Sequence, residues 1–81
     1  METAEIKRLI ETAIPRSEAR VVDTGGGNHF QAIVVSEQFE GKSMIAQHRM
    51  VYDALAHSIA DETIHAMSLR TLTPAQETRD R

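Results

Sequence analysis

Four histidines and no cysteine set the metal chemistry open to this 81-residue chain. Without Cys it has no disulfide, no thiol nucleophile and no self-sufficient thiolate metal site. His57 falls on the polar side of a helical pattern and reads as a surface residue. His48 falls inside the apolar arc of the same pattern and reads as a structural core histidine with a satisfied hydrogen bond. His29 and His65 stand at the mouths of two segments with β character, and from spacing alone they read as surface histidines. In parallel neighbouring strands, however, those two ends share one sheet edge, where a loop histidine and a strand histidine can approach. Two imidazoles do not close a tetrahedral site, which takes four ligands, and no carboxylate completes the set.

Other chemistry is thin. Serines, histidines and acids occur, but none at a spacing that suits nucleophilic catalysis, so the chain is not expected to be an enzyme. Gly25-Gly26-Gly27-Asn28 supplies the positive-φ residues of a hairpin loop. A phosphate cradle would need a helix directly after the glycines, but a β-branched and aromatic run begins at Phe30 instead. Gly41-Lys42-Ser43 resembles the end of a Walker loop, but Ser36 stands where its first glycine belongs. The net charge is −3, and the nine Lys and Arg are scattered rather than gathered into a basic face, which argues against nucleic acid as the main partner. Lys42, Arg49 and Arg70 are the candidates if nucleic acid is bound.

Hydropathy gives the secondary structure on which these residues are carried. Ile6, Leu9, Ile10 and Ala13 recur at helical spacing, which predicts an amphipathic helix over residues 3–14 with Thr3 as N-cap and Pro15 as its end. Ala19–Thr24 and Phe30–Val35 read as a hairpin around the glycine loop, and Glu37-Gln38-Phe39 as one tight helical turn. Ser43 caps a long helix that runs to Ala60. In that helix Met44, Ile45, Val51, Tyr52, Leu55 and Ile59 share an arc of roughly 120°, wide enough to face a core. Ile64–Leu72 is a third strand, with Ile64, Ala66 and Ser68 on one face and His65, Met67 and Leu69 on the other. Thr73-Pro74 starts a last helical turn, and the charged tail from Gln76 reads as frayed. The crossover helix returns the third strand parallel to the second. This is an α+β, two-layer α-β-β-α-β arrangement with a three-stranded mixed sheet and both main helices on one face, read as a single domain over residues 1–81. No apolar run approaches the roughly 18 residues that span a bilayer and no signal peptide is visible, so a cytoplasmic protein is expected.

Phe39-x-Gly41-Lys42-Ser43 followed by His48-Arg49-x-Val51-Tyr52 resembles the signature of the BolA family. Gly27-Asn28-His29-Phe30-Gln31 before it, and Ile64-His65-Ala66-Met67-Ser68-Leu69 with Thr73-Pro74 after it, extend the likeness over nearly the whole chain. Gln47 departs from the Arg of many members, and Thr78 from a Trp. The resemblance implies a fold like the type II KH domain. It implies a non-enzymatic adaptor in iron–sulfur trafficking or iron sensing, paired with a monothiol glutaredoxin. The two proteins would share a [2Fe-2S] cluster, with cysteine ligands from the glutaredoxin and its bound glutathione and none held by this chain alone. His65 is the ligand that the likeness implies. His29 is the second, from a loop expected to be mobile until the partner orders it. Weak homodimerisation and transcriptional regulation through nucleic acid are the other expectations the family carries.

Overall fold

The computed structural model describes residues 1–80. Helix α1 spans Thr3–Ala13, strand β1 Ser17–Gly25 and β2 His29–Ser36. A single 3-10 turn at Glu37–Phe39 leads to α2 (Met44–Ala54) and α3 (Ala56–Ala60), then β3 (Ala66–Leu72) and α4 (Pro74–Asp80). The sheet order is β1-β2-β3, antiparallel in the hairpin and parallel across the crossover, as the sequence predicts.

One face of the sheet carries Ala19 and Val21, Phe30, Ala32 and Val34, then Met67 and Leu69, which the register places side by side. Ile6, Ile10 and Ile14 from the α1 segment, Phe39 from the tight turn, Val51 and Leu55 from the α2 region, and Ile64 close the core over that face. Phe39 is the largest fully buried side chain, so the turn before Gly41 is anchored from beneath. The Ser43 hydroxyl accepts the Ala46 N–H at 3.1 Å, so the expected cap starts α2. Gly41 takes φ 78°, a left-handed turn that glycine reaches without strain.

Several local expectations give way. Thr3 is the first residue of α1 and Glu2 holds the cap position, without a side-chain cap bond. The long helix breaks at Leu55, whose ψ of 10° ends α2. No glycine or proline marks that break. Leu55 is 1% exposed, so the chain turns around a side chain held in the core. Strand β3 begins two residues late; Met67 and Leu69 share the core face and Ala66 and Ser68 the exposed one, while Ile64, ahead of the strand, joins the core instead of the Ala66 face. The charged tail that suggested fraying is helical through Asp80, with Arg81 outside the described residues. Helix α4 lies against β2 and β3, and Glu77 receives Arg20 at 3.0 Å from the sheet face opposite the core. A charged pair thus joins the tail to the sheet.

Lys7, Glu11 and β1 form a small polar clasp. The Glu11 carboxylate accepts Lys7 Nζ at 2.7 Å and the Ala19 N–H at 2.9 Å. These bonds, the one from Lys7 first, hold its carboxyl below the usual carboxylate range. A lowered folded-state value adds stability above the unfolded value, and that stability is lost as pH falls through the folded one. Glu11→Gln should therefore flatten the acid limb of the stability–pH curve, lowering stability at neutral pH and changing little below the folded value, which urea midpoints at several pH values will read. The clasp is partly solvated, so the effect is small.

Candidate metal centre

β2 and β3 run parallel, so their N-terminal ends lie side by side, with His29 paired to Ala66. The Asn28 carbonyl accepts the His65 N–H at 2.8 Å and the Ala66 N–H at 3.2 Å. One backbone oxygen therefore joins the residue before His29 to His65 itself. The two imidazole rings stand 5.2 Å apart between centroids, inclined by 38°. His29 alternates with the buried Phe30 and belongs to the face away from the core. His65 stands one residue before β3, beyond the pleat, and lines a shallow groove on the helix side with Tyr52, Ile59, Ile64 and Met67. The pair straddles the end of the sheet, and both histidines are exposed. Among the described residues no set of three or more His, Cys, Asp or Glu converges on a metal position. This edge therefore offers two nitrogen ligands and open space beside them.

His29 is the first residue of β2, not a loop residue. The loop before it is tied: the Asp23 carboxylate accepts the N–H groups of Gly25 and Gly27, and the Met1 nitrogen donates to the Gly27 carbonyl at 3.0 Å. Gly26 and Gly27 take φ of 70° and 77°, the left-handed turn that the glycines supply.

His48 is not a core residue. It is half-buried, makes no side-chain hydrogen bond among the described residues, and meets Tyr52 edge-on at 6.4 Å. The reason lies in the rotation of α2. Val51 and Leu55 do face inward, but with Gln47 and Ser58 beside them rather than Met44 and Ile45, which are 70% and 72% exposed. The apolar residues of this helix span more than the sheet can cover, and the core takes the side on which Gln47 can be satisfied. Gln47 Nε2 donates to the Phe39 and Lys42 carbonyls at 3.2 and 2.9 Å, and its Oε1 accepts Thr71 Oγ1 at 2.6 Å. His48→Ala should accordingly cost under about 1 kcal/mol, read as a urea midpoint close to that of the unsubstituted chain. A loss of several kcal/mol would restore the core assignment. His57 is exposed as expected and sits 3.6 Å from Asp61.

The three cationic candidates do not gather. Lys42 is exposed on the turn before α2 and Arg49 is exposed on α2. Arg70 pairs with Ile33 in β2 and stands on the sheet face away from α1 and α2. No helix among the described residues is long and apolar enough to cross a membrane.

The small three-stranded mixed sheet with its crossover helix is the architecture of the solved BolA structures. The pattern of the family described as BolA-like protein matches residues 6–76, and the chain belongs to that family. It is 42% identical over 81 residues to the acid stress protein IbaG of Escherichia coli strain K12, across all of this chain and 94% of that protein. It is 38% identical over 52 residues to the DNA-binding transcriptional regulator BolA of the same strain, across 64% of this chain and 49% of that one. The solved BolA homologue from Coxiella burnetii superimposes with a TM-score of 0.80 at 38% identity, covering 100% of this chain and 99% of that structure.

Proposed function

We propose that this chain is a non-enzymatic adaptor that shares a [2Fe-2S] cluster with a monothiol glutaredoxin, to which it contributes His65 and His29. The 5.2 Å spacing of the two rings carries this reading. Imidazoles bound at about 2.1 Å to one tetrahedral metal have ring centroids about 5 Å apart. The pair stands close to that spacing. A cluster needs four ligands from its surroundings, two more than this edge offers, so the other two must come from a partner, with thiolate as the fitting class. His ligands are neutral where thiolates are anionic. A mixed set raises the cluster potential and makes its stability depend on protonation. The test is a titration of holo-glutaredoxin with this protein, followed by visible absorption and circular dichroism. A new spectrum that saturates at stoichiometric ratio is expected; an unchanged spectrum there would sink the reading.

DNA binding is the second reading, favoured by the likeness to the E. coli regulator. Lys42 and Arg49 would carry it, with Arg70 facing elsewhere. Duplex binding of this kind should weaken steeply between low and physiological salt, and Arg49→Ala should reduce both the affinity and the salt slope. Retention that ignores salt would dismiss it.

A further inference from the structure

We infer that Asp23, which is not itself a ligand, is the positioning residue of the histidine pair. The naming of the metal rests on the function proposed above; the placement of the rings does not. Asp23 ends the regular pairing of β1, opposite Phe30, and the register shifts before Gly25 meets His29. One residue of β1, Thr24, is thereby left over as a bulge, and the strand bends at the place where His29 begins β2. Three successive glycines come next, the segment of this chain with the most conformations to choose among. A single carboxylate oxygen narrows that choice: Asp23 Oδ1 accepts the Gly25 N–H at 2.8 Å and the Gly27 N–H at 3.3 Å. On the far side of the loop the Asn28 carbonyl is held by the His65 and Ala66 N–H groups. The loop is clamped at both ends, by Asp23 and by the backbone of the other histidine, with the Met1 nitrogen on the Gly27 carbonyl between them, and the His29 ring is delivered beside His65.

The consequence is a preset site. Removing the Asp23 acceptor frees the N–H groups of Gly25 and Gly27 and leaves the loop held only by the Met1 nitrogen on the Gly27 carbonyl and by the shared Asn28 carbonyl, while the core under Phe30 and Val34 is untouched. Asp23→Ala should speed amide hydrogen exchange at Gly25 and Gly27 by about tenfold, the effect of losing partly solvated hydrogen bonds of ordinary strength. The nuclear Overhauser contacts between the His29 and His65 rings should disappear. Exchange at Ala32 and Val34 should stay as it was. Asp23→Asn keeps an oxygen in the same place and should restore all of these. The measurements use the metal-free full chain and so stand whether or not a cluster is ever formed. Ring contacts that persist in Asp23→Ala overturn the inference, as does an equal rise in exchange at Ala32 and Val34, which would make Asp23 a general stabiliser. With a monothiol glutaredoxin, the mixed cluster of Asp23→Ala should decay several-fold faster, and adding Asp23→Ala to His29→Ala should change nothing more. A further loss in that double variant would show Asp23 acting other than through His29. A failure of the unsubstituted protein to form any mixed cluster would dismiss the proposed function and leave the ring contacts to decide on Asp23.

Discussion

Replacing His65 by alanine should abolish the mixed cluster proposed above: mixing the variant with holo-glutaredoxin should return the spectrum of the glutaredoxin alone. The expected loss in cluster affinity exceeds about a hundredfold, because even removing a group that only orients a ligand costs about 10- to 100-fold. His65 has the stronger claim of the two. Its own N–H is bonded to Asn28 and it leads straight into β3, so its backbone is fixed by the sheet. Its ring faces the groove between Tyr52 and Ile59, beside exposed apolar surface on which a partner could settle. His29→Ala should leave a weaker, more labile cluster. His29→Cys should bind tightly again at a lower potential, since thiolate donates more charge to iron than imidazole does. Neither histidine belongs to the apolar core, so all three variants should unfold at the urea midpoint of the original chain. A His65→Ala protein that still forms the mixed cluster, beside a His29→Ala protein that does not, reverses the order of the two ligands.

Gln47→Leu should lower the unfolding free energy by about 2–4 kcal/mol, the largest stability effect expected from any single polar residue here. Leucine keeps most of the volume, so the loss isolates the hydrogen bonds. The Gln47 amide bonds two carbonyls of the Phe39–Lys42 turn and takes the Thr71 hydroxyl from β3, so it ties the turn, α2 and the sheet together. With leucine in place the half-buried Thr71 hydroxyl loses its partner and the Phe39 carbonyl keeps only the Lys42 N–H, and a buried unpaired polar group costs about 1–3 kcal/mol. An arginine at this position would have donors only. It could serve the two carbonyls but could not accept from Thr71. The double variant Gln47→Leu with Thr71→Val should recover part of the loss, since both partners of one bond are then gone. Urea unfolding at constant slope reads both effects. A midpoint shift equivalent to less than about 0.5 kcal/mol in Gln47→Leu would mean that the network carries no stability.

Much of the architecture comes from local pattern alone. The helical spacing of Ile6 and Ile10, the glycine loop between two β-branched segments, the tight turn at Glu37–Phe39 and the Ser43 cap are each short-range signals, and each element stands where they put it. The parallel return of β3 follows from chain connectivity and handedness, not from any one residue. Those constraints also bring the starts of β2 and β3 to one edge, so the nearness of His29 and His65 was legible in outline. What the chain pattern does not carry is rotation and distance. Helix α2 has apolar residues around more than half its circumference, so periodicity alone allows several inward faces. Only the match between Gln47 and its three partners selects one, and that choice expels His48, Met44 and Ile45 from the core. The break at Leu55 has the same origin, a tertiary preference with no local residue to announce it. The ring-to-ring spacing depends on how one carbonyl, that of Asn28, is shared between two N–H groups, and on a carboxylate holding three glycines. The order of residues sets which groups this chain possesses and the succession of elements that carry them. Which of those groups face one another is settled only in the folded chain, because hydrogen bonds between distant residues, unlike hydrophobic periods, leave no spacing to read.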